Sequence, residues 1–264
     1  MDRRDVVLFS PWIGEFGWEL IWQARCRKIS RGYRHAFVLS NECNYYLYSD
    51  FSSLIPYPYF EAVSNRNGWK GVEDGVSSVE YARSLQVCLG SDLVTPEDEF
   101  AGFSFDYRIS GREEFISYGS AFSEEYICVH ARNRTECSER NGGNEYWNEL
   151  VNAVLSMGHK VVAIGGASSF CPDGAINAVG LDVKRTISIL KGAKLVLGES
   201  SGPMHLAMLS NKPVLVWWTG RSDNINKSRY EKYWNFHGSR VIALGEQGHF
   251  IAPAEIVEKI GDIL

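Results

Sequence analysis

Lys194-Leu-Val-Leu-Gly-Glu-Ser-Ser-Gly-Pro-Met-His-Leu-Ala-Met-Leu209 carries the reading of the fold. Residues 194–197 are a short apolar run of strand character. Gly198-Glu-Ser-Ser-Gly202 turns the chain. Pro203 then stands in the first turn of a helix over 203–209, where its missing N–H is no loss. Asn211-Lys is followed by a second apolar run, Pro213-Val-Leu-Val-Trp-Trp218. Strand, turn, helix, strand at this spacing is a βαβ unit, and such units build parallel sheets.

Working outward, the alternation continues. Residues 123–130 end in a buried strand. Residues 144–157 read as a helix with apolar positions at Tyr146, Trp147, Leu150, Val151, Val154 and Leu155, stopped by Gly158. Residues 160–164 are a strand running into Gly165-Gly166. Asp182 can cap a helix over 183–190. Residues 240–244 are a further strand, and 253–264 an amphipathic helix. The strands are continuous rather than alternating apolar runs, as a sheet covered on both faces requires. The loops at their carboxyl ends (130–134, 165–166, 198–202 and 218–221) should form a ligand crevice. The first half is less legible. Strands are expected over 6–9 and 35–39, a turn over 14–17 and a helix over 18–29. Residues 41–60 are aromatic and resist assignment, 68–75 look like loop, and 83–120 give mixed signals. The division is placed at 1–118 and 119–264.

The chain has 264 residues, 45% hydrophobic and 22% charged, which excludes disorder, collagen and coiled coil as the main architecture. No apolar run reaches the ~18 residues of a membrane span. The start lacks the features of a signal peptide, so a soluble, cytoplasmic protein is expected. A net charge of −5 without a Lys/Arg block argues against a broad nucleic-acid face. Six scattered cysteines with no Cys-x-x-Cys read as free thiols. His237 and His249 have no ligand-spaced partners, and no metal site or cofactor is expected.

Chemistry concentrates at the turns. The start of the 203–209 helix offers free N–H groups to an anion such as a phosphate. Gly198 and Gly202 allow close approach, Ser200 and Ser201 add hydroxyls, and Glu199 could accept sugar hydroxyls. The same five residues also fit Gly-x-Ser-x-Gly, the nucleophile turn of α/β-hydrolases, with Asp223 and His249 following in triad order. Only a short chain follows Ser200, and no oxyanion segment precedes it. A plain capped turn without ligand is the third reading.

The order Gly-Glu-Ser-Ser-Gly-Pro-Met-His-Leu-Ala, then Lys-Pro-Val and a strand, resembles the donor lobe of the heptosyltransferase-like glycosyltransferases of family 9. The resemblance runs over residues 158–220. Glu199-Ser200 stands where that family often has Asp-Ser. It implies a GT-B fold: two Rossmann-type doubly wound lobes with a cleft between them. It also implies inverting, metal-independent transfer of a sugar from a nucleotide diphosphate to a hydroxyl acceptor, a glycan or another hydroxyl compound. An acceptor on nucleic acid is not favoured by the charge. The family's first strand leads to a turn whose carboxylate is the proposed base; here Glu15 matches that place, with Glu19 as competitor one helical turn on. His130-Ala-Arg132-Asn-Arg134 looks like the His-x-Arg-Arg motif of GDP-fucose-dependent fucosyltransferases, and such arginines can hold a diphosphate. The implied sugar-donor residues are Arg132, Arg134, Gly165, Gly166, Glu199, Ser200, Ser201, Gly202 and His205, with Arg140, Lys184 or Arg185 as further cations. His205 reads equally as structural. Trp12, Trp18 and the tyrosines of 45–48 are candidate acceptor platforms. The competing functions are a Ser200 hydrolase and a nucleotide-sugar binding module without catalysis.

Overall fold

The computed structural model describes residues 4–12, 16–42, 44–57, 78–96, 122–135, 138–218, 227–233, 235, 238–245 and 251–264. The chain divides into two compact units, Met1–Ile109 and Ser110–Leu264.

In the first unit the elements are β1 (Arg4–Phe9), α1 (Phe16–Ser30), β2 (Tyr33–Ser40), β3 (Ser53–Pro56), α2 (Ser78–Leu89) and β4 (Asp92–Val94). A single 3-10 turn, Tyr45–Leu47, lies between β2 and β3. The sheet order is β3-β2-β1-β4, and every pairing is parallel. Val7, Leu8 and Phe9 are wholly buried, because helices cover both faces of β1. On one face the Phe9 ring meets Trp22 of α1 edge-on, with centroids 6.3 Å apart. On the other, Leu8 and Leu39 pack with Tyr57 and with Ala82 of α2.

The second unit contains β5 (Tyr126–His130), α3 (Asn144–Ser156), β6 (Lys160–Gly165), β7 (Ile176–Val179), α4 (Val183–Gly192), β8 (Ala193–Glu199), α5 (Gly202–Leu209), β9 (Val214–Trp217), β10 (Val241–Leu244) and α6 (Pro253–Ile263). The sheet is β10-β9-β8-β5-β6-β7, parallel throughout. Counted within the unit, the strands run 3-2-1-4-5-6 from the β7 edge, which is the Rossmann order. Ile127, Val129, Leu195, Leu197, Leu215 and Trp217 line one face, against Trp147, Leu150, Val151 and Val154 of α3 and Ile256 and Ile260 of α6. Each fully buried chain of this kind contributes roughly 1.5–3 kcal/mol. The Asp182 carboxylate caps α4 by accepting the Arg185 N–H at 2.8 Å.

The α/β class, the Rossmann-type units and the order of elements from β5 to α6 match expectation. Three strands and one helix go beyond it. β3, β4 and β7 are short and half exposed, so they lack a buried strand's apolar run, and β3 ends on Pro56. α2 begins in a stretch given no assignment and runs into the 83–120 stretch of mixed signals. Among the described residues no helix is long and apolar enough to cross a membrane.

Candidate functional site

In the second sheet the chain changes direction between β5 and β8, the switch point at which ligands of such sheets bind. The carboxyl end of β5 delivers His130, Ala131 and Arg132. That of β8 delivers Glu199, Ser200 and Ser201, with α5 starting at Gly202. The motif residues from the two ends of this unit therefore meet.

His130 is 4% exposed and bridges two loops. Its Nδ1 lies 2.9 Å from Ser201 Oγ and its Nε2 lies 3.3 Å from Ser169 Oγ. Burial, and then the Arg132 charge, hold it down to about 3. It is a neutral cross-link at any working pH and a poor base. Two glycines make room for it. A Cβ on Gly198 would sit 2.5 Å from Met204 Sδ and 3.1 Å from the His130 carbonyl oxygen. Gly165, at φ 139°, would place a Cβ 2.8 Å from the imidazole. Gly166, by contrast, faces open space. Ser201 precedes α5 with its hydroxyl turned to His130 rather than capping the helix.

Glu199 points inward. It is 1% exposed. Its Oε2 accepts the Arg132 N–H at 2.9 Å and the Trp147 indole N–H at 3.3 Å. Its Oε1 accepts the Gly142 N–H. Both oxygens are engaged within the protein, so Glu199 does not present the open acceptor expected for sugar hydroxyls. Burial raises it to about 7, against the lowering effect of those bonds and of Arg132.

The arginines divide. Arg132 is 4% exposed, and its guanidinium donates to Asn141 Oδ1. Arg134 is half-buried; its N–H reaches the same oxygen at 3.3 Å, and its carbonyl accepts Asn141 Nδ2 at 2.8 Å. Arg140, in the 3-10 turn Ser138–Arg140, donates to the Ser200 carbonyl at 2.5 Å. Its charge helps hold His205 down to about 4, behind the larger effect of burial. The Arg140 guanidinium thus bonds the β8–α5 turn itself. Lys184 and Arg185 lie on α4, where Arg185 pairs with Asp182.

His205 of α5 closes a stack of three rings. Its ring lies parallel to Tyr230 at 5.4 Å, and Tyr230 lies parallel to Trp218 at 6.1 Å. The Tyr230 hydroxyl donates to Ser200 Oγ at 2.6 Å. Burial pushes Tyr230 up to about 12, so it keeps its proton and cannot activate Ser200. The imidazole at this turn serves Ser201, not Ser200. Among the described residues the only non-glycine with positive φ is Asn211, so Ser200 lacks the strained backbone of a nucleophile turn. Asp223 and His249 lie outside the described residues.

In the first unit, Glu15 lies outside the described residues, as does the side chain of Trp18. Trp12 is 4% exposed and presents no open ring. Glu19 is 2% exposed; it accepts Asn44 Nδ2 at 2.6 Å and the Tyr48 hydroxyl at 3.2 Å. Burial raises it to about 8.

Sequence reading misses the roles of Trp147, Asn141, Gly142 and Tyr230. A signal exists for the inward turn of Glu199. Leu195 and Leu197 precede it at strand period, so Glu199 falls on the same core face.

No protein-family model matches the chain, and no curated protein matches it. Among solved structures, ADP-heptose LPS heptosyltransferase II of E. coli is 14% identical, with 98% of each chain covered and a TM-score of 0.58. A family 9 glycosyl transferase from Veillonella parvula is 11% identical, with 100% of this chain and 93% of that one covered and a TM-score of 0.62. The E. coli heptosyltransferase WaaC, solved with ADP, is 13% identical over 98% of this chain and 100% of its own, at a TM-score of 0.51. The chain has a heptosyltransferase-like GT-B fold.

Proposed function

We propose that the protein is a glycosyltransferase that moves a sugar from a nucleotide diphosphate sugar to a hydroxyl acceptor, with inversion and without a metal. One observation carries the reading. The switch point of the second sheet gathers the Gly198–Gly202 turn, the start of α5 and the Arg140 guanidinium in one place. A diphosphate is met there by a helix dipole of the right sign and a planar cation, while the Ser200 N–H is taken by the Trp217 carbonyl at 2.7 Å. The fold shared with heptosyltransferases, one of them solved with ADP, supports it.

In the proposed reaction an acceptor oxygen attacks the anomeric carbon as the bond from that carbon to the diphosphate oxygen breaks. The attacking hydroxyl gives its proton to a carboxylate, and the departing nucleoside diphosphate takes the bonding electrons. Arg140, with Arg134 nearby, and the α5 N-terminus stabilise the charge that develops on the leaving phosphate. We assign the base to Glu15. Glu19 is buried and already held by two partners, which makes it a poor proton acceptor for a substrate. Arg132 serves the loop rather than the ligand.

The test is release of nucleoside diphosphate from ADP-, GDP- and UDP-sugars offered with a panel of glycan acceptors, in the presence of EDTA. Turnover with one donor, undiminished by EDTA, is expected. Arg140→Ala should weaken donor binding by ten- to a hundredfold, the loss of about 1.5–3 kcal/mol from a charge-assisted bond. Arg140→Ala binding all three donors as the wild type does would remove the assigned phosphate site. Binding without turnover under every condition would leave a nucleotide-sugar binding module.

A further inference from the structure

The proposed transfer leaves Glu199 without a task at the substrate, yet a buried carboxylate is costly to place there. It is buried at 1% exposure, and its three partners are the N–H groups of Arg132, Gly142 and Trp147. None of these can accept a proton. The partners come from the exit of β5, from the turn before α3 and from α3 itself. A Cβ at Gly142 would lie 2.8 Å from Glu199 Oε1 and 2.7 Å from the Tyr146 ring, so only glycine allows this approach. Arg132 and Gly142 bound one stretch of chain, and Glu199 holds both of its ends. Within the stretch, Asn141 ties Arg132 to Arg134, and Arg140 reaches back to the Ser200 carbonyl.

We propose that Glu199 is a positioning residue: as a carboxylate it clamps both ends of the Arg132–Gly142 segment and so sets the affinity of the site for the diphosphate of a nucleotide sugar. The consequence for ligand affinity rests on the transferase reading; the clamp does not. Protonation adds a donor where all three holding groups are donors, so the neutral acid holds both ends of the segment more weakly than the carboxylate does.

The groups facing the carboxylate are few. The Arg132 guanidinium approaches from the β5 exit. The Tyr146 hydroxyl of α3 is driven upward by burial and by Glu199, Glu149 and Glu255, the last on α6. The β9 neighbour is Trp217, which does not titrate. His130 and His205 stay neutral from pH 6 to 8, being held near 3 and 4. Glu199, near 7, changes charge in that window. Affinity should therefore rise with pH.

The experiment uses the whole chain. Binding of ADP-glucose, GDP-mannose and UDP-glucose is measured by calorimetry at pH 6 and pH 8. These diphosphate diesters keep the same charge across that range, so a change reports the protein. In parallel, exchange protection of the Arg132 and Gly142 amides is measured without ligand across the same range. The wild type should bind up to about tenfold more tightly at pH 8, the ratio of ionised fractions for a group titrating near 7. Both amides should lose protection together as pH falls through 7. Glu199→Gln should show the weak, flat profile at both pH values and exchange these amides at least ten times faster. Because Glu19 is untouched in that variant, the flat profile also assigns the titration. Wild-type affinity and protection in Glu199→Gln would overturn the clamp. If no nucleotide sugar binds the wild type, the transferase reading falls, and the two amides still decide the clamp. If Glu199→Gln does not fold, the wild-type amide titration decides: constant protection from pH 6 to 8 overturns the proposal.

Discussion

Among the described residues each unit buries one glutamate beside its parallel sheet, and the two are held in opposite ways. Glu19 in the first unit is met by side chains, the Asn44 amide and the Tyr48 hydroxyl. Glu199 in the second is met by two backbone N–H groups and an indole. The exposures are nearly equal, at 2% and 1%. A tyrosine hydroxyl can rotate to accept a proton, and an amide can turn its oxygen inward. A neutral Glu19 therefore fits its surroundings, and it rests near 8. The partners of Glu199 only donate, so its geometry is written for the anion, and it sits lower, near 7. At both sites burial is the larger effect and favours the neutral acid; the hydrogen bonds, and for Glu199 the Arg132 charge, work against it.

The strongest way to break this comparison is truncation. Glu199→Ala strands three N–H donors, two of them on backbone that cannot turn away. The expected loss is about 3–5 kcal/mol, from unsatisfied donors at roughly 1–3 kcal/mol each. Glu19→Ala strands two side chains that can reorient, so its cost should be smaller by about 2 kcal/mol. Urea melts at pH 7 measure both. Equal costs would mean that the kind of partner is immaterial.

Next comes pH. Glu19 has its folded value raised from 4.5 to about 8. The native state then holds more protons than the unfolded chain, so stability is full below about 4.5 and is lost as pH rises through 8. Glu199 adds a second decline that ends near 7. Glu19→Gln mimics the neutral acid. It should remove the upper part of the decline and be more stable than the wild type at pH 8.5 by about 4–5 kcal/mol, since each tenfold change in a proton-binding equilibrium is worth roughly 1.4 kcal/mol. A variant no more stable than the wild type at that pH would mean Glu19 ionises without penalty.

The contrast between the glutamates is half legible in the sequence. The turn at Gly198–Gly202 and its flanking strands announce themselves, because a strand buried on both faces is apolar throughout and a glycine-flanked turn punctuates it. Arg132 and Arg134 stand out, but their division of labour with Arg140 does not. It depends on Asn141 and on a 3-10 turn, and neither has a sequence period. Reading Glu199 by its turn rather than by its strand makes an inward carboxylate look like an outward one. Glu19 falls on its helix as expected, but its partners come from residues 44 and 48, in the aromatic stretch that resists assignment. β3, β4 and β7 escape the sequence for the reason edge strands usually do: half exposure dilutes the apolar signal.

The finest test removes one hydrogen-bond donor from each glutamate. Tyr48→Phe takes away the hydroxyl at 3.2 Å from Glu19, and Trp147→Phe the indole N–H at 3.3 Å from Glu199. Each bond favours the charged form, so its loss pushes that carboxyl higher still. The cost specific to the carboxylate is absent while the acid is protonated and appears as pH rises past the wild-type value. Any cavity left by Trp147→Phe costs the same at every pH and drops out of the difference between pH 5.5 and 8.5. That difference should be about 1 kcal/mol for Trp147→Phe, the usual scale of one hydrogen bond, and about half of that for Tyr48→Phe, whose carboxyl is still titrating at pH 8.5. What separates them is where it emerges. For Trp147→Phe most of it should be present by pH 7.5. For Tyr48→Phe most should appear only above pH 8. Coincident onsets would show that the two glutamates titrate alike, and that the all-donor surroundings of Glu199 do not favour its anion over that of Glu19.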